Sequence, residues 1–277
     1  MHARTLEEAP AGNAGLREGA LANKILMAGK EGTKDNYTVG LTKTVGGYLV
    51  PRHHHNFDQV RYFLEGETTF GKYVLRKGWV GYFAEGVYYG PQERSDGSCA
   101  LVLQFGGSTG YGYLSRPEQK AARLELEKRG KFEKGAYTWV DENGQRHNKD
   151  AFEAVYEQAV GQKCAYPPPR YEDIIVMNSE NYHWMADPQS PGVFHKWLGS
   201  FGERGTRVGF RRVDAGATLT VGLHDARETM VVIKGEIAHD GRSYPLYSGF
   251  GIEPQEGPIA LKAVEETELF CLQLPKF

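Results

Sequence analysis

Between residues 37 and 105 the chain is cut into short runs of Val, Tyr, Phe and Leu (YTVGLTKTV, GGYLVP, DQVRYFLEGE, TTFGKYVL, GWVGYFAEG and CALVLQF) with glycines between them. Apolar residues alternating with polar ones over about four to eight positions describe half-buried strands, and the short Gly-bearing connections suit antiparallel neighbours. The same texture returns in TRVGFRRVDAGATLTVGLHD, ETMVVIKGEIAHDGRSYPLYSGFGIEP and the terminal TELFCLQLP. Two β units in 277 residues, 35 of them Gly, predict an all-β molecule of two barrels or sandwiches.

Between the units the pattern changes. Ser115-Arg116-Pro117-Glu118 is a capping box with Pro in the first turn; it opens the charged helix EQKAARLELEKRG, with Gly130 where a stop belongs. Asn143-Gly144 signals a hairpin, DAFEAVYEQAVGQK a second helix, and Tyr166-Pro167-Pro168-Pro169 an extended boundary. The expected organisation is an irregular N-terminal surface arm over 1–35, a barrel over 36–112, a helical connector with a hairpin over 113–170, and a second barrel over 171–277.

With 33 Lys+Arg against 35 Asp+Glu the chain has no basic excess for nucleic acid. Cys99, Cys164 and Cys271 form no CxxC, which leaves neither a disulfide framework nor a cysteine zinc site and points to a reducing compartment. No apolar leader opens the sequence and no run approaches ~18 apolar residues, so the expectation is a cytoplasmic protein without membrane or nucleic-acid partners. Phosphate loops of the GxGxxG or GxxxxGK[ST] type and the Gly-x-Ser-x-Gly elbow are missing, against nucleotide binding and α/β-hydrolase chemistry.

Chemistry concentrates in PRHHHNFDQVRYFLEGE. If the segment is one strand, residues 53, 55, 59, 61 and 63 share a face, so His53, His55 and Gln59 converge inside the barrel and His54 points away. Two neutral imidazoles and an oxygen donor suit a divalent transition metal; the alternative is a pair of hydrogen-bonded barrel histidines beside Gln59. Arg61 lies on the same face, where a guanidinium needs an internal acid (Glu65, Glu67 or Glu85) or a bound anion. Phe57 and Phe63 share that face and Tyr82, Tyr88 and Tyr89 follow, as core or as walls for a flat carboxylate.

The spacing Gly47, His53, His55, Gln59, Gly66 resembles the first cupin motif, G-x5-H-x-H-x3-E-x6-G, with Gln for Glu. Gly78, Ala84, Gly86 and Tyr89 resemble the second, G-x5-P-x-G-x2-H, with Ala for Pro and Tyr for the last His. In the second half His224, Glu228 and Gly235 repeat the first motif with Gly222 for its first His, and SGFGIEPQEGP offers no later His. The chain therefore resembles a bicupin with a degenerate second barrel, which implies two tandem double-stranded β-helix (jelly-roll) barrels. His224 and Glu228 read as a hydrogen-bonded pair rather than a metal site.

The resemblance implies one divalent transition metal, Fe(II) favoured and Mn, Ni or Zn allowed, held by His53, His55, Gln59 and Tyr89. Together with the face shared along the predicted strand, this leads to the expectation of a small anionic or aromatic substrate bound by Arg61, Phe57, Phe63 and Tyr82, with Tyr89 and Arg61 catalytic. The expected activity is an oxidoreductase of dioxygenase type; the alternatives are a metal-assisted isomerase and a metal-free binding or sensor module. Proteins of this kind often form homodimers.

Overall fold

A computed structural model describes residues 1–12 and 20–277, so part of the expected arm, residues 13–19, lies outside the described residues. Two antiparallel sheets build each barrel. In the first, six strands run in the order Ile175–Asn178, Trp79–Phe83, Asp58–Glu65, Cys99–Phe105, Tyr37–Val45, Ala20–Ala28. A four-stranded sheet, Tyr48–Val50, Gln92–Arg94, Glu67–Phe70, Tyr73–Arg76, closes over it.

The second barrel repeats this plan with a seven-stranded sheet: His2–Arg4, Gly249–Ile252, Glu228–Lys234, Thr267–Gln273, Thr206–Val213, Val193–Phe201, Met185–Ala186. Its four-stranded partner is Thr218–Val221, Ile259–Ala263, Ile237–His239, Arg242–Tyr244. No helix among the described residues is long and apolar enough to cross a membrane.

The N-terminal segment is not an irregular arm. Ala20–Ala28 pairs along Tyr37–Val45 in the first barrel, while His2–Arg4 pairs with Gly249–Ile252 in the second. Conversely, Ile175–Asn178, expected in the second barrel, pairs with Trp79–Phe83 of the first. Each of the two larger sheets thus ends on a strand lent by the other half. These borrowed strands are three or four residues long, too short to show an alternation, and only the partner's edge specifies them.

Strand Asp58–Glu65 explains how the barrels meet. Gln59, Arg61 and Phe63 face inward, while Val60 and Tyr62 face the second barrel, where Tyr62 stacks on Phe270 at 5.0 Å and meets Phe210 edge-on at 5.1 Å. One apolar cluster therefore runs through both halves, from Phe63, Phe70 and Phe83 to Val208, Phe210 and Phe270. A separate cluster of Val232, Phe250, Leu261 and Leu269 fills the second barrel.

The connector packs on the first barrel. Helix Arg116–Glu127 is capped as its sequence predicts: Ser115 Oγ accepts from Glu118 N at 3.2 Å, and Glu118 Oε2 accepts from Ser115 N at 2.6 Å. It stops before Gly130, at a right-handed Lys128 cap; Gly130 instead opens the strand Gly130–Glu133, where a side chain would strike Thr138 O. The hairpin Ala136–Val140/Arg146–Asp150 turns at Asn143-Gly144, and helix Ala151–Val160 follows with Gly161 as its left-handed cap. Phe152 and Tyr156 of that helix join Phe57, Tyr113 and Leu114 in a cluster over the mouth of the first barrel.

Candidate functional site

The His run is not part of the strand, which begins at Asp58. His53 instead forms a single antiparallel bridge to Tyr89, with His53 N donating to Tyr89 O at 3.0 Å and Tyr89 N to His53 O at 2.9 Å. This bridge ties the two motif segments together and brings the His53 and His55 ring centres to 5.0 Å, and those of His53 and Tyr89 to 4.5 Å. Nδ1 of His53 lies 2.7 Å from Pro51 O, an acceptor only, so in the neutral ring Nε2 keeps the lone pair. His54 points elsewhere, stacked between Tyr88 at 3.8 Å and Tyr166 of the connector at 3.6 Å.

Gln59 and Arg61 sit below the imidazoles. Gln59 Nε2 donates to Tyr89 Oη at 2.8 Å, and its Oε1 accepts from Arg61 Nη2 at 3.0 Å and Gln104 Nε2 at 3.2 Å. Arg61 Nη1 donates to Gln92 Oε1 at 2.9 Å, and its Nη2 lies 3.4 Å from Tyr89 Oη. The guanidinium packs against Phe83, at 4.7 Å from the ring centre, and Phe70, at 5.2 Å. The network continues outward: Gln104 Oε1 accepts from Tyr113 Oη at 2.8 Å and from Arg116 Nη2, on the first connector helix, at 2.9 Å.

Arg61 is only 5% exposed, and none of the expected acids reaches it. Glu85 pairs with Arg170 and Glu67 with Arg76; among the described residues no carboxylate pairs with Arg61. Arg94, from the opposite sheet, is a second part-buried guanidinium without an acid, against the Tyr48 ring at 5.2 Å and with its Nε buried and unpartnered. Burial and then the charge of Arg61 push Arg94 down to about 10, and burial also lowers Arg61.

Phe57 lines the mouth, with its ring centre 4.6 Å from His55 and 5.4 Å from Phe152. Phe63 lies deeper, against Phe70 at 6.2 Å. Tyr82 does not join them. Opposite Val60 in the ladder, it faces away from the interior, donates to Asp58 Oδ2 at 2.6 Å and stacks on Phe201 at 4.3 Å. The expectation that Tyr82 binds substrate is corrected by strand register: Phe83, not Tyr82, shares a face with Gln59. Burial, which dominates, and the nearby Glu85 lift the Asp58 carboxyl to about 7.

As the side chains stand, two of the four expected ligands, Gln59 and Tyr89, are engaged in hydrogen bonds and not open to a divalent ion. The imidazole pair has a suitable separation, but the Gln59 oxygen is taken by Arg61 and Gln104, and the Tyr89 hydroxyl accepts from Gln59 beside a fixed positive charge. A divalent ion held beside the Arg61 guanidinium would be repelled by it, the more strongly the drier the site.

In the second barrel Glu228 accepts from Arg211 Nη2 and Gln273 Nε2, both at 3.0 Å, and His224 Nε2 lies 4.0 Å away. His224 and Glu228 are adjacent as expected, but the bonds to Glu228 come from Arg211 and Gln273.

Comparison with solved structures matches this strand plan over the whole chain. A candidate dioxygenase from Nostoc punctiforme superposes with a TM-score of 0.60 at 11% identity, over 99% of this chain and 79% of that one. Oxalate decarboxylase from Bacillus subtilis gives 0.53 at 12% identity, over 100% and 76%. The chain is a bicupin in fold. A candidate glyoxylate-induced protein from Pseudomonas aeruginosa is similar to this chain as well, with a TM-score of 0.55 at 11% identity over 92% and 81%. No family model matches the sequence, nor does any curated protein.

The polar centre of the first barrel also contains Gln92, Arg94, Gln104 and Arg116, which the sequence did not single out. Gln104 had a signal, a polar residue amid the apolar run CALVLQF. The others become site residues only through cross-strand register and connector docking.

Proposed function

We propose that this bicupin binds a small organic anion inside its first barrel, with Arg61 and Arg94 as the anchoring charges. The carrying observation is that two guanidiniums, Arg61 and Arg94, share the interior and that among the described residues no carboxylate pairs with either. Buried charge of one sign is costly, and an anion that enters relieves it. Gln92 Nε2, buried without a partner, is a further donor for such a ligand. Tyr89, bonded to Gln59 and next to Arg61, is the group that would exchange a proton with a bound acid, and His53 and His55 line the approach. Phe57, Phe63 and Phe152 supply apolar walls. The likeness to an oxalate decarboxylase is in keeping with a small carboxylate ligand.

Calorimetry with oxalate and benzoate tests this reading. Binding should be saturable and at least tenfold weaker in Arg61→Met; equal affinity for both acids in wild type and variant would overturn it.

A metal-dependent oxidoreductase of dioxygenase type, or a metal-assisted isomerase, is the second reading, and the 5.0 Å separation of the His53 and His55 rings favours it. It requires Gln59 Oε1 to leave Arg61 and Gln104. Elemental analysis after purification without a nickel column separates the two. Less than about a tenth of an equivalent of any transition metal, not restored by anaerobic Fe(II), supports the anion site alone. Near-stoichiometric metal lost in His53→Ala supports the metal enzyme.

A further inference from the structure

The second barrel contains a polar centre that the proposal above does not use. Glu228 stands opposite Gln273 in the ladder, as Gln59 stands opposite Gln104 in the first barrel. It is 2% exposed, and its Oε1 takes both hydrogen bonds, from Arg211 and Gln273. Its Oε2 is buried with no partner, although a carboxylate oxygen in a dry interior calls for one.

On the other side of Gln273 the ladder places Arg207, so Arg207, Gln273 and Glu228 stand abreast on three strands. Two strand spacings, roughly 10 Å, separate the outer backbones, and side chains reach inward from both. The Arg207 guanidinium lies 3.9 Å from the centre of the Trp197 ring, and among the described residues no carboxylate pairs with it. Arg211 is neutralised by Glu228, so Arg207 carries the surplus charge. Arg207 is half-buried and the His224 side chain is 49% exposed, which puts this group at an accessible rim. A buried acceptor without a partner and a cation without an acid of its own thus stand on the two sides of Gln273 in the ladder, and two arginines around a single carboxylate disfavour a metal there.

We propose that the second barrel is a separate ligand site for a small carboxylic acid with a hydrogen-bond donor, hydroxyl or ammonium, on the adjacent carbon. The ligand carboxylate meets Arg207 and the donor meets Glu228 Oε2. An acid without the donor leaves that oxygen empty and binds more weakly.

Lactate, alanine and propionate differ chiefly in this donor, and calorimetry on the full chain bearing Arg61→Met, which disables the first barrel's anion site, compares them. Lactate or alanine should saturate one site at least tenfold more tightly than propionate, the better of the two identifying hydroxyl or ammonium. Arg207→Gln should weaken that binding at least tenfold, and the Trp197 indole resonance should shift on titration only when Arg207 is present. Propionate binding equally well, no saturable binding of lactate or alanine, or unchanged affinity in Arg207→Gln would overturn the proposal. Because the two sites use different residues, either can fail without the other.

Discussion

Gln59 and Glu228 occupy the same ladder position in the two barrels, and the difference of one functional group decides what surrounds them. Glu228 neutralises Arg211; Gln59 leaves Arg61 charged. Gln59→Glu should therefore supply the missing counter-charge, raise the denaturant midpoint and weaken oxalate binding at least tenfold, measured by urea titration and calorimetry. Asp58 gives a pH signature. Its folded-state carboxyl titrates near 7 because it is buried, whereas an unfolded Asp titrates near 4. Between those values the folded state retains a proton that the unfolded chain has released. Stability should fall as pH rises through that window, by on the order of 4 kcal/mol, and Asp58→Asn should flatten this part of the curve. Of the first site, Gln59, Arg61 and Phe63 were legible because alternation in one strand is local. The His run was misread as strand because a bridge to Tyr89 can be seen only once the two segments meet. Arg94 and Gln92 were invisible for the same reason.

The connector helices were legible as elements, through a capping box at Ser115 and a turn at Asn143-Gly144, since caps and turns are written in adjacent residues. Where they dock was not. Helix Ala151–Val160 inserts Phe152 against His55, with ring centres 4.7 Å apart, and Arg116 of the other helix ends a hydrogen-bonded chain that begins at Tyr89. The connector therefore closes the mouth of the first barrel and holds its polar centre. Phe152→Ala, which empties a side chain only 3% exposed, should cost about 3–5 kcal/mol in urea unfolding. It should also speed the association of oxalate in stopped-flow measurements.

At the scale of the molecule, tandem repetition was readable from two stretches of like texture, but the exchange of edge strands was not, because three-residue pairings leave no periodic trace. The aromatic contact of Tyr62 with Phe210 and Phe270 joins the two barrels through one apolar cluster. Splitting the gene at the exposed Asn143-Gly144 turn should give halves that co-purify when expressed together and precipitate when expressed singly. Synthesis imposes an order on this reciprocity. His2–Arg4 leaves the ribosome long before Gly249–Ile252 exists to receive it, so the second barrel's rim can be sealed only after almost everything between them has been translated. The earliest strand is among the last to settle, and a stalled nascent chain would carry it unpaired.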